Sequence, residues 1–379
     1  MTKFDLIATS AMGLEALVAK EVRDLGYECE VENGRISFKG DEAAIARANM
    51  WLRTADRIRI KVGEFKARTF DELFEKTKSL PWEQYLPEDA EFPVTGKSVK
   101  SQLFSVSDCQ AIVKKAIVER MRTHYKKTGW LEESGPFFKI EVALLKDVAI
   151  LTIDASGSGL HKRGYRTGQG EAPIKETLAA ALVTLTNWTP NKPFVDPFCG
   201  SGTIPIEAAL IGQNIAPGFN REFVSEAWNW IPEKVWEDAR MEAEDLAKYD
   251  QPLEITGSDI DHCMIKIAEE NAFEAGLGDL IQFKQMQVKD FTTTKEYGVI
   301  VGNPPYGERL GDKEAVQKMY EAMGKVLAPL DTWSIYILTS DEEFEKVFGK
   351  PATKKRKLFN GFIRTDYYQY WGKRPPKIR

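Results

Sequence analysis

The second half of the chain alternates short apolar runs with longer amphipathic segments. From about residue 171 onward, runs of strand length are followed by stretches whose apolar positions have helical spacing. The predicted strands cover residues 194–196, 253–261, 281–285, 299–301 and 334–338, and the predicted helices cover residues 172–186, 203–211 and 262–275. This alternation predicts an α/β fold with a doubly wound, Rossmann-like parallel sheet, which ends in an antiparallel hairpin of residues 356–359 and 367–370.

The first half of the chain carries two smaller α/β patterns. Residues 1–65 follow the order β-α-β-β-α-β of a ferredoxin-like unit, with an Asn33-Gly34 hairpin turn. Residues 66–160 predict a second α/β unit, in which Thr69 can cap one helix and Asp108 can cap a long helix that runs to Lys127. The predicted domains are therefore residues 1–65, 66–160 and 161–379.

Composition narrows the class of protein. The formal net charge is −5, and the second half is more acidic than the first, so any nucleic-acid binding must come from local basic patches. No apolar run approaches a membrane span, and the first residues lack the features of a signal peptide. Four scattered cysteines and only three histidines argue against a metal site and predict a reduced, cytoplasmic protein.

A glycine-rich turn and three carboxylates follow successive predicted strands. The turn, residues 196–202, reads DPFCGSG, which is neither a phosphate-binding G-x-x-x-x-G-K-[ST] loop nor a G-x-G-x-x-G dinucleotide motif. Asp259 can accept hydrogen bonds from both ribose hydroxyls of a nucleoside, Asp290 can accept one from an adenine amine, and Asp261 either joins them or caps the next helix. Ligands of such sheets bind at the carboxyl ends of the strands, which predicts a nucleoside site here.

The predicted strand at residues 297–301 runs into Asn303-Pro304-Pro305-Tyr306. Two prolines have no N–H for a strand ladder, so the backbone must leave the sheet with its carbonyls unpaired. A substrate amino group could satisfy those acceptors while Tyr306 stacks on the attached ring. A simple Pro-Pro turn at a strand end explains the tetrapeptide equally well when it is taken alone.

Two basic segments are candidates for contact with nucleic-acid phosphates. One is the helix at residues 108–127 and the other is the junction at residues 156–166, where cations and a tyrosine follow a Gly-Ser stretch. A solvated helix face and a flexible linker are the corresponding structural explanations. The candidate nucleic-acid-binding residues in these segments are Lys114, Lys115, Arg122, Lys126, Lys162, Arg163, Tyr165 and Arg166. Arg309, after the Asn303–Tyr306 stretch, is a further candidate for a phosphate contact or could equally brace that loop.

The order of these motifs resembles a known family. DPFCGSG, GSDID, Asp290 and NPPYG occur in the order seen in class I S-adenosylmethionine-dependent methyltransferases that modify exocyclic amines, over about residues 165–379. The resemblance implies that the glycine turn holds the methionine part of S-adenosyl-L-methionine, that the acid after the second strand holds the ribose, and that NPPY holds the target amine. The implied cofactor contacts are Asp196, Phe198, Cys199, Gly200, Gly202, Thr203, Asp259, Ile260 and Asp290.

The first half extends the resemblance to the whole chain. Residues 82–97, the basic helix and the HKRGYR junction look like an RNA-binding THUMP domain preceded by a ferredoxin-like unit, as in the bacterial RlmL-like group. That group implies formation of N2-methylguanosine in 23S ribosomal RNA. Methylation of tRNA guanine, methylation of adenine at N6, and a non-enzymatic role as an RNA-binding assembly factor stay open as alternatives.

The implied chemistry is direct transfer of a methyl group to a guanine N2. The oxygen of the Asn303 side chain and the carbonyl of Pro304 would accept the two amine N–H groups and draw charge onto the attacking nitrogen. Tyr306 would stack on a base that has left its helix. The predicted catalytic residues are Asn303, Pro304, Pro305 and Tyr306, whereas Cys199 is expected to pack rather than react.

Overall fold

The computed structural model describes residues 3–168, 170, 173–306 and 313–376. Its strands are β1 (Phe4–Ser10), β2 (Cys29–Glu32), β3 (Arg35–Gly40), β4 (Ala55–Lys66), β5 (Val94–Val99), β6 (Ile140–Leu145), β7 (Val148–Asp154), β8 (Phe194–Asp196), β9 (Ile255–Asp259), β10 (Ile281–Gln285), β11 (Val299–Gly302), β12 (Ser334–Thr339), β13 (Lys354–Asn360) and β14 (Ile363–Tyr370). Its helices are α1 (Glu15–Asp24), α2 (Glu42–Trp51), α3 (Phe70–Lys78), α4 (Val106–His124), α5 (Glu176–Thr184), α6 (Thr203–Gly212), α7 (Glu233–Leu246), α8 (His262–Glu274), α9 (Lys313–Leu327) and α10 (Phe344–Phe348).

The chain divides into two compact units. The first comprises Met1–Ser10, Val18–Leu160 and Glu222–Glu242, and the second comprises Ala11–Leu17, His161–Arg221 and Ala243–Arg379. Within the described ranges, no helix has both the length and the apolar character needed to cross a membrane.

One seven-stranded sheet runs through the first unit, in the order β2-β3-β1-β4-β7-β6-β5. The β1-α1-β2-β3-α2-β4 part has the predicted ferredoxin-like order, and the Asn33-Gly34 turn joins β2 to β3. The 12-residue strand β4 pairs with β1 on one side and with β7 on the other, so it belongs to both predicted α/β patterns. The predicted boundary at residue 65 therefore falls inside a strand, and the separation into two N-terminal domains stays a prediction.

Two helix starts differ from the sequence prediction. Helix α4 begins at Val106 after Ser105, so Asp108 lies in its first turn and does not cap the helix. Its carboxylate interacts favourably there with the positive end of the helix dipole. Helix α5 begins at Glu176 after an extended Lys175, so Pro173 precedes the helix instead of opening it. Residue 172, where that helix was predicted to start, lies outside the described residues.

The segment Glu222–Glu242 belongs to the first unit although it follows strand β8 in sequence. Trp228 is buried and stacks on Phe138 with ring centroids 4.7 Å apart. Arg47 donates two hydrogen bonds of 2.8 Å to the Glu242 carboxylate. These contacts anchor a stretch for which the hydrophobic pattern predicts no element.

The second unit is built on a seven-stranded sheet in the order β10-β9-β8-β11-β12-β14-β13. The first five of these strands are parallel, while β14 and β13 are antiparallel, which confirms the predicted doubly wound sheet and its closing hairpin. The chain moves outward to β9 and β10 from β8, then returns to β11 on the other side of β8. Strands β8 and β11 therefore meet at the point where the strand order reverses, and ligands of such folds bind at their carboxyl ends.

Candidate functional site

The glycine turn after β8 is held tightly against β9. The backbone N–H of Cys199 donates to the Ser258 carbonyl at 2.9 Å, and the N–H of Gly200 donates to Asp259 Oδ2 at 3.0 Å. Gly202 has φ of +83°, and a Cβ there would lie 3.0 Å from the Cβ of Ala268. The turn therefore needs glycine both for its backbone conformation and for its approach to α8.

Asp196 places a buried carboxylate beneath this turn. Its side chain is fully shielded from solvent, and Oδ1 accepts the N–H of Phe198 at 2.9 Å. Oδ2 is buried without a hydrogen-bond partner among the described residues. Burial, with a smaller contribution from the charge of Asp259, holds the pKa of Asp196 well above its usual range. A cationic donor brought to Oδ2 would satisfy the orphaned acceptor.

Asp259 ends β9 on the other side of the turn. Its two oxygens accept the N–H groups of Gly200 and Asp261, at 3.0 Å and 2.9 Å. Each carboxylate oxygen keeps a further lone pair for another donor. The Asp261 side chain accepts the N–H of Cys263 at 2.8 Å, so it caps α8, one of the two roles left open by the sequence.

Ile260 and Asp290 lie further along the same edge of the sheet. The Ile260 side chain is 63% exposed, which leaves an apolar face open beside Asp259. Asp290 ends a short 3-10 turn, Val288–Asp290, that follows β10, and its side chain is exposed. Both side chains are accessible for contact with a ligand.

Strand register brings the two halves of the site to one level. Asp196 pairs with Gly257 on β9, and Val195 pairs with Ile300 on β11. Asp259 and Asn303 therefore each lie two residues beyond the level of Asp196, on the two strands that flank β8. With neighbouring strands about 4.8 Å apart, their backbones are separated by about 10 Å.

The Asn303–Tyr306 turn is held by side chains from below. The Tyr306 hydroxyl donates to Asn303 Oδ1 and accepts from Asn360 Nδ2 at 3.4 Å. The Tyr320 hydroxyl donates to the Pro305 carbonyl at 3.0 Å, so the prediction of unpaired carbonyls is wrong for Pro305. Pro304 is buried, and its carbonyl accepts no hydrogen bond from the part of the chain that the structure describes.

Three family models match successive parts of the chain. An RMKL-like methyltransferase domain matches residues 163–369, which is more than half of the chain. The chain belongs to the RMKL-like methyltransferase family. An RlmL ferredoxin-like domain matches residues 5–59 and a THUMP domain matches residues 67–154, so the resemblance to THUMP-containing, RlmL-like proteins is confirmed.

Relatives of this methyltransferase match it over almost its whole length. A Bacillus subtilis (strain 168) protein named "Putative RNA methyltransferase YpsC" is 69% identical and covers 100% of this chain and 98% of its own. A crystal structure described as "a predicted N6-adenine-specific DNA methylase" from Listeria monocytogenes is 68% identical, with a TM-score of 0.95 over 98% of this chain and 97% of its own. A structure of "SMU.472, a putative methyltransferase complexed with SAH" is 54% identical, with a TM-score of 0.96 over 99% of this chain and 100% of its own.

The remaining residues of the predicted cofactor site lie in or next to the glycine turn of this methyltransferase. Phe198 is half-buried, and Gly200 has open space where a Cβ would stand. Thr203 is the first residue of α6, and its hydroxyl accepts a hydrogen bond of 3.0 Å from Arg166. Burial, with contributions from Asp196 and Asp259, holds the pKa of the Cys199 thiol well above its usual range, which suits a packing role and opposes a nucleophilic one.

Three predicted RNA contacts of this RMKL-like chain are structural. Arg163 is only 3% exposed and donates to both oxygens of Glu207 at 3.3 Å, and the buried Tyr165 hydroxyl donates to Glu207 Oε1 at 3.0 Å. Arg166 donates to Glu176 at 2.8 Å and is largely shielded. The two arginines neutralise buried carboxylates and Tyr165 is hydrogen-bonded to one of them, so this conformation gives all three side chains structural roles and opposes the predicted RNA contacts.

Of the other side chains that are predicted to contact RNA, some form contacts within the chain and others are exposed. Lys114 donates to Glu133 at 2.6 Å and lies 3.5 Å from the centroid of the Phe92 ring, and Arg122 donates to the Thr128 carbonyl at 2.8 Å. Lys115, Lys126 and Lys162 are exposed. The predicted contact by Arg309 lies outside the described residues.

Two positioning side chains escape sequence reasoning. Asn271 of α8 is buried, accepts the N–H groups of Thr167 and Gly168 at 2.9 Å and 3.3 Å, and donates to the Ser201 carbonyl at 2.9 Å. It thereby fastens the glycine turn to the segment that precedes α5. Tyr320 of α9 does the same for the Pro305 carbonyl, and burial raises its pKa, so its hydroxyl keeps the proton that it donates.

Proposed function

We propose that the chain is an S-adenosylmethionine-dependent RNA methyltransferase that methylates the exocyclic N2 of a guanosine, in 23S ribosomal RNA. One observation carries the proposal: the glycine turn and the Asn303–Tyr306 turn follow the two strands that meet where the strand order reverses. A cofactor bound in the first turn and an amine bound in the second would therefore be neighbours.

The residues around the glycine turn fit S-adenosylmethionine. The orphaned Oδ2 of Asp196 suits the cofactor's ammonium group, and the free lone pairs of Asp259 suit its two ribose hydroxyls. The exposed Ile260 suits one face of the adenine, and Asp290 suits its amine. A relative 54% identical to this chain has been crystallised with SAH, the demethylated product, which supports the same cofactor here.

The bound cofactor supplies an electrophilic methyl group on a sulfonium, and the chain supplies alignment. Asn303 Oδ1 already accepts the Tyr306 hydroxyl, and its second lone pair remains for one amine N–H. The Pro304 carbonyl accepts the other N–H. As the new N–C bond forms and the S–C bond breaks, these fixed acceptors stabilise the positive charge that develops on nitrogen. The extra proton then leaves to water, so no strong base is required.

Support for RNA comes from the first unit and from one relative. A THUMP domain matches residues 67–154, and the 69% identical relative is named an RNA methyltransferase. The choice of guanine N2 rests on the RlmL-like resemblance. The relative described as an N6-adenine-specific DNA methylase favours adenine N6 as the second candidate, since the same turn accepts either amine.

Two substitutions test whether the Asn303–Tyr306 turn acts in methyl transfer and Asp259 in cofactor binding. Asn303→Ala should leave the dissociation constant for SAH within about twofold and lower methyl transfer to RNA by at least about 10²-fold. Asp259→Ala should weaken SAH binding first. Asn191→Ala, an exposed loop residue in the same unit, serves as the control. Normal turnover by Asn303→Ala would overturn the role given to this turn.

Cofactor binding itself separates an enzyme from an RNA-binding assembly factor. Equilibrium dialysis of the full chain against labelled S-adenosylmethionine should show saturable binding at one site. Nucleoside mass spectrometry of RNA methylated in vitro should then identify N2-methylguanosine. Absence of cofactor binding would favour the assembly factor, and N6-methyladenosine would favour the second candidate.

A further inference from the structure

A groove of about 660 Å³ lies at the end of the second unit's strands opposite to the glycine turn. It opens beside Lys192, which precedes β8, and beside Ser334, the first residue of β12. The residues that follow β14 form its other wall. Lys192 and Ser334 lie at the amino ends of parallel strands, and the carboxyl end of β14 lies beside them because β14 is antiparallel to β12. The groove is therefore separate from the site described above.

The floor of the groove is set by strand register. Lys354 pairs with Gln369, and Gln369 pairs with Tyr336, so the three stand in one row across β13, β14 and β12. Gln369 and Tyr336 are buried, whereas Lys354 is exposed at the edge of the sheet. The lysine is thereby presented at the rim of the groove.

Polar contacts fix the end of the chain against this floor. Ser334 Oγ accepts the N–H of Gly372 at 3.1 Å and a hydrogen bond from Asn187 Nδ2 at 3.2 Å. A Cβ on Gly372 would lie 2.6 Å from the Thr332 carbonyl oxygen. Glycine is thus required for this close approach, and the approach holds the next residues beside the groove.

The lining is strongly basic. It contains Lys192, Lys354, Lys373 and Arg374, and no carboxylate is present among the lining residues that the structure describes. Lys373 pairs with Asp331, while the other three have no acidic partner within the described ranges. In a chain of net charge −5, this is a local concentration of positive charge.

An aromatic ring stands among these cations. Trp371 lines the groove with 56% of its surface exposed. Lysines on an edge strand such as β13 protect a sheet from pairing with other chains, which is a sufficient reason for Lys354 alone. Edge protection gives no reason for an open indole beside it, or for Lys192 from a different part of the chain.

We propose that this groove binds a single-stranded segment of RNA, with a base stacked on Trp371 and phosphates on Lys354 and Arg374. Cations that follow a backbone and an aromatic ring that stacks a base are the general features of single-strand binding. The proposal rests on the proposed function and extends it, because it adds an RNA contact distant from the acceptor amine. The RNA held here would flank the methylated nucleotide.

The test measures binding of the full chain to a fluorescein-labelled single-stranded RNA of about 12 nucleotides by anisotropy. Trp371→Ala should weaken binding by about 5- to 100-fold. Lys354→Ala should make the negative slope of log affinity against log salt shallower by about 0.7. The controls are Phe362→Ala, a fully exposed ring in the turn of the same hairpin, and Lys325→Ala on α9.

Other outcomes separate this proposal from the proposed function. All variants should bind SAH with wild-type affinity by calorimetry, because the groove is remote from the glycine turn. Equal RNA affinity of Trp371→Ala and Phe362→Ala would overturn the groove and leave the methyltransferase intact. Equal competition by poly-glutamate would assign the groove to an acidic protein, and Trp371-dependent binding of guanosine monophosphate at the affinity of the RNA would assign it to a free nucleotide. Failure of the wild-type chain to bind any RNA would overturn both proposals.

Discussion

Asp196 offers the sharpest link between stability and function. Its carboxylate is buried, one oxygen has no partner among the described residues, and the negative charge of Asp259 is nearby. Such a group costs folding free energy unless a ligand compensates it. Asp196→Asn keeps the shape of the side chain and the acceptor for the Phe198 N–H but removes the charge.

The sign of the effect follows from the raised pKa. The folded chain holds the Asp196 proton more tightly than the unfolded chain, whose aspartates titrate near pH 3.9. The penalty is therefore absent below that pH and grows as pH rises towards the folded-state pKa. At neutral pH, Asp196→Asn should raise the free energy of unfolding by about 1–3 kcal/mol, because a buried neutral amide costs less than a buried carboxylate.

Urea titrations with and without SAH test both halves of this account. At about 100 times its dissociation constant, SAH should stabilise the wild-type chain by about 2.7 kcal/mol and should add little to Asp196→Asn. Asp279→Asn, an exposed substitution in the same unit, should change neither quantity. A variant that is less stable at neutral pH and keeps the full gain from SAH would refute the reasoning.

Three further substitutions test the supports of the site. Arg163→Met should lower the free energy of unfolding by about 3–5 kcal/mol in a urea titration, because Glu207 stays buried without its cation. Adding Glu207→Leu should restore most of the lost stability, whereas additive losses in the double variant would contradict the pairing. Tyr306→Phe should lower kcat by only about fivefold, because it removes the hydroxyl that bonds to Asn303 and Asn360 but keeps the ring. Tyr306→Ala should lower kcat further through loss of stacking, and equal rates would contradict the stacking role. Asn271→Ala removes the hydrogen bonds that link the glycine turn to the segment before α5, so it should weaken SAH binding by about tenfold in calorimetry. Unchanged affinity would show that the glycine turn keeps its conformation without Asn271.

The second unit was largely predictable because each of its core strands is a short apolar run followed by a chemically distinctive turn. Strand order then follows from general rules for α/β sheets, and the glycine turn and the Asn303–Tyr306 turn fall at neighbouring strand ends. Sequence could not give the support beneath those turns. Tyr320 and Asn271 act across distances in sequence that no local pattern records.

The continuous sheet of the first unit was missed for a local reason. The register of β4 against β7 shifts between Lys61 and Gly63, and such an irregularity breaks the alternation from which strands are predicted. The segment Glu222–Glu242 was missed for a different reason. Its placement depends on buried tryptophans and on the Arg47–Glu242 pair, which are tertiary contacts.

The basic junction shows how a charge cluster can mislead. Lys162, Arg163 and Arg166 stand close together in sequence, but only Lys162 is exposed. A signal for the burial of Arg163 was present in α6, where Glu207 lies inside an otherwise apolar helix. A buried glutamate needs a buried partner, so Glu207 predicts a buried cation beside α6.

The central claim is that this chain methylates the N2 of a guanosine in RNA. The most direct measurement incubates the purified chain with S-adenosylmethionine and unmodified 23S ribosomal RNA, transfer RNA or single-stranded DNA, followed by nucleoside mass spectrometry. The account predicts N2-methylguanosine in the ribosomal RNA and no product with Asn303→Ala. Methylated DNA, N6-methyladenosine, or product formation that survives Asn303→Ala would contradict it.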